Sequence, residues 1–251
     1  MVEKVKVEAL KTILKELGIE CARIIEEKVD LQFSALENLH KNLNDDELFL
    51  KLVIANSIVS YQLSGKGENW WWEFSRYFSK NPPTGSIVRA YSDFLPASKN
   101  NKRLIQPKLN RLKKLEPFLN SLTIEDLRNY YHNMLKFRDH LAKAMNAKKD
   151  AKTIVFAVKM FGYAARIAFG EFLPYPMEID IPRDFRIEKY TKRFTEGNPI
   201  AFWREVAKEV KIPPLHIDSI LWPVLGGDKR VMERLKKHCE KYELVLEFVS
   251  L

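Results

Sequence analysis

Apolar residues in this chain recur three and four positions apart almost from end to end, a period that admits few folds other than a helical one. Val5, Leu10, Ile13, Leu14 and Leu17 set the pattern, and Gly18 stands where the first helix should end. A second helix is expected from Ile19 to about Lys28, interrupted by Val29-Asp30-Leu31-Gln32 and resumed by Leu36, Leu39 and Leu43. Asn44-Asp45-Asp46 reads as a cap for an apolar helix running through Leu52 and Ile58 as far as Gly65-Lys66-Gly67. An aromatic helix with Trp70, Trp71, Trp72, Phe74, Tyr77 and Phe78 is stopped by Asn81-Pro82-Pro83-Thr84-Gly85, and another helix spans about Ser86 to Leu95. The basic stretch Lys99 to Lys114 is one amphipathic helix, or two divided near Pro107. Thr123-Ile124-Glu125-Asp126 resembles a capping box and starts a helix to about Ala144. The polar break Asn146 to Lys152 leads into an apolar helix from Thr153 to about Phe169. Pro174, Pro176 and Pro182 force the connector 172–182 to be extended. Amphipathic stretches complete the chain, and Leu244 to Val249 is either a short strand or packed coil. With only nine Gly and few period-two alternations, the expected class is all-α.

Several chemistries are excluded by what the chain lacks. No G-x-S-x-G, Walker A or G-x-G-x-x-G segment occurs, which removes the common serine hydrolases, P-loop enzymes and dinucleotide binders. His40, His132, His140, His216 and His238 do not fall at zinc-ligand spacing, so no metal site and no cofactor are expected. Cys21 and Cys239 cannot build a disulfide framework or a four-thiolate cluster, and a reducing compartment is the simple reading. No apolar run approaches the roughly 20 residues a bilayer span needs, so no membrane role is expected and a soluble, intracellular, cytoplasmic protein is. Forty-two Lys and Arg against thirty-three Asp and Glu leave a formal charge of +9, favouring a polyanionic partner, nucleic acid before acidic lipid.

The remaining signal is a helix, a hairpin and a second helix, followed by an Asp behind a proline: Lys152-Thr153-Ile154-Val155-Phe156, then Ile181-Pro182-Arg183-Asp184-Phe185-Arg186. This resembles the helix-hairpin-helix DNA glycosylases. Four blocks in order resemble more closely the archaeal 8-oxoguanine DNA glycosylases, AGOG. They are Ser60 to Glu68, Lys152 to Phe156, Ile181 to Arg186 and Ile212 to Trp222, within matches that run from about residue 10 to 225. Asn146 to Asp150 replaces the Gly-rich hairpin turn of the wider superfamily and the iron–sulfur cysteines are missing; AGOG members share both departures. The resemblance implies two helical lobes with a helix-hairpin-helix at their junction (about 128–165) and a DNA-binding cleft between. One lobe is expected from 1–50 plus 155–251, the other from 51–154.

The implied reaction is excision of 8-oxoguanine from DNA with lyase cleavage of the strand, by a monomer associated with the nucleoid. Such chemistry needs a neutral amine that attacks C1′ and forms a Schiff base, the role implied for Lys152, with Lys148 and Lys149 near in sequence to lower its proton affinity. It also needs an anion beside the developing oxocarbenium, the role implied for Asp184, which on local sequence alone would be a helix N-cap. Phe156, Trp222 and Trp71 match the aromatic pocket of the family, and Gln32, Ser60 and Asp218 its polar edge; a Gln can face the protonated N7 of the lesion. Lys148 and Lys149 are expected on phosphates, as is the run Lys99 to Lys114 if it is not simply a solvated face. Two other readings stay open: a noncatalytic helix-hairpin-helix DNA-binding or repair scaffold protein, which would have no use for the Lys152 and Asp184 pair, and a glycosylase for another lesion.

Overall fold

The structure, a computed structural model, describes residues 2–251. Among them the chain is helical throughout, without a strand: α1 (Val2–Ile24), a π-helical turn (Ile25–Val29), α2 (Leu31–Leu43), α3 (Asp46–Ile58), α4 (Gly67–Lys80), α5 (Ile87–Ala97), α6 (Ile105–Asn120), α7 (Ile124–His132), α8 (Met134–Ala144), α9 (Lys152–Phe169), α10 (Phe185–Thr191), α11 (Pro199–Val210), α12 (Pro214–Leu225), α13 (Lys229–His238) and α14 (Tyr242–Ser250). Two compact units result, Met1–Leu31 with Pro174–Leu251, and Gln32–Leu173. Breaks expected at 50/51 and 154/155 would cut through α3 and α9, which pack on each other and so belong whole to the central unit.

In the central unit α3 buries Phe49, Leu50 and all of Leu52 to Ile58, and α9 buries every residue from Ala157 to Arg166. Helices apolar on most of their circumference can only sit in the middle of a bundle, where each large aliphatic or aromatic side chain removed from water contributes about 1.5–3 kcal/mol. The aromatic helix α4 is fixed by stacking: Trp70 lies 5.3 Å from Phe94 of α5 at 10°, and Tyr77 lies 4.3 Å from the same ring.

The discontinuous unit is built on α1, which packs on α11, α12, α14 and the π-helical turn. Its extended connector is pinned by His216 of α12, whose Nε2 accepts from the Tyr175 backbone N–H at 3.1 Å. Nδ1 must therefore carry the proton, which it donates to Glu26 at 3.0 Å, and the Ser219 hydroxyl donates to the same carboxylate at 2.7 Å. This histidine is a buried structural group.

The caps read from sequence act as caps. Asp45 accepts from the Leu48 N–H, Thr123 and Asp126 form a reciprocal capping box, and Gly18 breaks α1 with φ +69° and ψ 178°. The expected helix to Gly65 instead ends at Ile58, because the Ser60 hydroxyl turns back onto the Asn56 carbonyl and Gln62 takes a left-handed conformation. The following loop is tied to the loop after α5 by Ser64 and Gly65 N–H groups that share the Asn100 carbonyl; a Cβ at Gly65 would lie 2.1 Å from the Asn100 side chain. The helix expected from Thr123 to Ala144 is two, divided where Asn133 leaves helical geometry to cap α8. Leu244 to Val249 is helical within α14: Val245 and Phe248, three apart, share its buried face.

Candidate active site

Lys152 is the first residue of α9, exposed, behind the non-capping Ala151. The turn that delivers it is closed by a left-handed Asn146, whose N–H bonds Lys143 O while Ala147 N–H bonds Ala142 O. That bond pair is a Schellman motif with Asn in place of Gly, a residue whose short side chain tolerates positive φ. The start of α9 is held by tertiary contact: Arg111 of α6 donates Nη2 to the Thr153 hydroxyl at 2.8 Å and Nε to the Ile58 carbonyl at 3.3 Å, over the Tyr61 ring. Lys108 also points inward, donating to Asn101 Oδ1 and to Arg103 O, and burial beside Arg103 draws its ammonium down to about 8. The basic stretch is thus not one helix: residues 99–104 form a loop, Lys108 and Arg111 of α6 turn into the protein, and Lys99, Lys102, Arg103, Lys113 and Lys114 stay exposed. Lys148 is exposed, and Lys149 pairs with Asp139 at 2.8 Å.

Asp184 is the N-cap of α10. Its Oδ1 accepts from the Arg186 and Ile187 N–H groups at 2.9 and 3.1 Å, and its Oδ2 from the Trp222 indole at 2.9 Å. Both lone-pair directions are thereby set from its own helix and from α12. Arg186 in turn lies 4.1 Å over the Trp222 ring and donates to the Trp222 carbonyl at 3.0 Å. Gly226 makes room for it, since a Cβ there would stand 2.7 Å from the guanidinium.

The remaining candidates fall into the same two groups. In the central unit Trp71, buried, meets Phe156 edge to face at 6.0 Å, so of the three consecutive tryptophans it is the one turned toward the Lys152 helix. Trp70 instead donates to Ser60 Oγ at 2.8 Å. With its own proton given to Asn56 O at 2.6 Å, the Ser60 hydroxyl retains only acceptor capacity. Gln32 is buried at the start of α2. In the discontinuous unit Asp218 is buried on α12, one turn before the half-buried Trp222. Sequence reasoning missed Arg111, Arg186 and the buried Lys159, which lies on the face of α9 shared by Lys152 and Phe156. The spacing 152, 156, 159 was available as a signal for the last. Among the described residues no group of three His, Cys, Asp or Glu is arranged to hold a metal, and no helix is long and apolar enough to cross a membrane.

Residues 11–248 match the family AGOG, described as N-glycosylase/DNA lyase. The chain belongs to the AGOG family. It is 70% identical over 247 residues to the N-glycosylase/DNA lyase of Thermococcus kodakarensis, covering 98% of this chain and 94% of that protein. It is 50% identical over 247 residues to the protein of the same description from Methanococcus maripaludis, covering 98% of each. Among solved structures it resembles the AGOG 8-oxoguanine DNA glycosylase of Pyrobaculum aerophilum in complex with 8-oxoguanosine. The TM-score is 0.77 at 26% identity, over 92% of this chain and 96% of that one. The all-helical fold is therefore that of an AGOG enzyme, and this AGOG member is a DNA glycosylase and lyase.

Proposed function

We propose that the enzyme removes 8-oxoguanine from DNA and then cuts the strand at the vacated sugar, with Lys152 as nucleophile and Asp184 as the stabilising anion. The observation that carries this reading is the likeness, over 92% of the chain, to a fold solved with 8-oxoguanosine bound. In its neutral form the Lys152 amine attacks C1′ as the glycosidic bond breaks and the base leaves with the electron pair. The cationic nitrogen passes one proton to the departed base, ring opening forms the C1′=N bond as the C1′–O4′ bond breaks and O4′ takes up a proton, and removal of a C2′ proton from the resulting protonated imine expels the 3′ phosphate. Positive charge grows on the sugar before the new bond is complete, and a carboxylate already oriented by three donors stabilises it without reorganisation.

Phe156 and Trp222 are assigned to stacking on the extruded base, Trp71 to backing Phe156, and Gln32, Ser60 and Asp218 to its polar edge. Gln32 is assigned to the N7–H that the lesion has and guanine lacks; with guanine two acceptors would meet, a penalty of about 1–3 kcal/mol. Lys148 and Lys149 are assigned to phosphates beside the open N–H groups of α9; the exposed pairing of Lys149 with Asp139 is weak enough to exchange for one. The enzyme is taken to act as a monomer on nucleoid DNA.

The test is incubation with an end-labelled duplex holding one 8-oxoguanine, resolved on a denaturing gel. Cleavage at the lesion, and none of the same duplex with guanine, is expected. An intact strand that keeps its 8-oxoguanine overturns the proposal, and preference for an oxidised pyrimidine reassigns the lesion.

A further inference from the structure

Two cysteines 218 positions apart meet inside the discontinuous unit. Cys21 lies on α1 and Cys239 at the C-cap of α13, both almost fully buried, with sulfur atoms 3.6 Å apart. A disulfide needs about 2 Å, so bonding draws the two sulfur atoms about 1.6 Å closer than they stand here. The neighbourhood is anchored on both sides: the Cys239 N–H bonds Leu235 O, the Tyr242 N–H bonds Cys239 O, and Lys241 Nζ reaches the Glu16 carbonyl of α1 at 2.5 Å. The unit they join is made of two chain segments, Met1–Leu31 and Pro174–Leu251, with the whole central unit inserted between them in sequence.

We propose that Cys21 and Cys239 are a site of reversible disulfide formation, and that the bond closes the discontinuous unit by joining its two segments directly. The oxidant is a low-molecular-weight disulfide. Local opening of the turn between α13 and α14 brings Cys239 to solvent, where its thiolate attacks one sulfur of R–S–S–R, forming a mixed disulfide and releasing the first thiolate, which is protonated by solvent. Cys21 then gives up its proton and attacks Cys239 Sγ, expelling the second thiolate; two cysteine thiols are oxidised and one small disulfide is reduced to two thiols. The order of attack follows from the surroundings. Cys239 is favoured as thiolate because the Cys21 thiol donates to it and the Lys241 N–H and ammonium face it, against the opposing influences of burial and Glu240. Cys21, held as the thiol by that same hydrogen bond and by burial, is the resolving partner.

The bond removes freedom from the unfolded chain over a loop of more than 200 residues, the regime in which chain-entropy stabilisation is largest. The experiment equilibrates the full-length protein with excess hydroxyethyl disulfide and measures intact mass, free thiols under denaturing conditions, a non-reducing peptide map and the melting temperature. The expected result is loss of two hydrogens and both thiols without dimerisation, a peptide joining Cys21 to Cys239, and a rise in melting temperature of about 10 °C that dithiothreitol reverses. Cys21→Ser should stop at the mixed disulfide on Cys239 and show no such rise. Two free thiols after equilibration, a stable mixed disulfide in the parent protein, or an internal bond that leaves the melting temperature unchanged would each overturn the proposal. None of these readouts depends on DNA, so they stand or fall separately from the assigned reaction.

Discussion

α9 and α10 both begin at a residue assigned to chemistry, and their beginnings are built in opposite ways. At α9 the first residue is a lysine, exposed behind an alanine that caps nothing, and the helix start is held from outside by Arg111 on Thr153. At α10 the assigned residue is itself the cap, and three donors fix its carboxylate. A nucleophile must move, since its nitrogen travels from free amine to covalent adduct, so an uncommitted side chain at a rigid helix start suits it. A group that only stabilises charge works best when it does not move. Removing the lysine should therefore cost chemistry and no stability, whereas removing the aspartate should cost both.

The largest effect is expected at the uncommitted end. Lys152→Gln should lower single-turnover excision by about 1,000-fold or more, while DNA affinity and melting temperature stay close to the parent because the side chain carries no fold contact. An excising variant would break the comparison at once. Next, Asp184→Asn should slow excision by about 100-fold. Asparagine caps nearly as well as aspartate, so unfolding free energy should fall by only about 1 kcal/mol for the one acceptor lost to Arg186, Ile187 or Trp222. Asp184→Ala should lose the cap as well and melt a further 2–4 °C or so lower. Equal melting of Asn, Ala and parent proteins would show that the carboxylate is not the anchored group described here.

Smaller effects separate orientation from contact. Trp222→Phe keeps a ring for stacking and deletes the indole donor, so excision should drop about tenfold, the loss of one hydrogen bond to a charged group, with affinity for free 8-oxoguanosine little changed. Loss of affinity without loss of rate would mean that the indole serves the base and not Asp184. Finally, charge removal at Lys148 and Lys149 together should make the slope of log affinity against log salt shallower by up to about 1.8, roughly 0.9 for each phosphate contact. An unchanged slope would take the phosphate role away from the hairpin.

The two helix starts also differ in how far sequence discloses them. Asp184, Thr123, Asp45 and Gly18 are legible because a cap or a helix break is a local event, decided within four residues. The breaks at Asn133 and after Ile58 are hidden for a related reason: a polar side chain that bonds its own backbone competes with helix only when the surroundings favour it, and the apolar period on either side masks the choice. In sequence Arg111 and Lys108 belong to a basic run, and nothing in 99–114 tells an arginine on solvent from one reaching Thr153 across 42 positions. The pair Gly226-Gly227 stands at the end of α12. Gly227 does turn the chain at φ +66°, but Gly226 has an additional task, admitting the Arg186 side chain that covers Trp222. Contacts between residues distant in sequence orient the assigned groups, and these a single sequence does not display.

The assignment of the nucleophile to the uncapped start of α9 is tested most directly by trapping. Borohydride added during turnover of an 8-oxoguanine duplex should reduce the imine to a stable amine, and proteolysis followed by mass spectrometry should find the sugar remnant on the peptide that holds Lys152. A remnant on Lys159, on another lysine or on the amino terminus would contradict the account, as would excision that proceeds with no trapped protein at all.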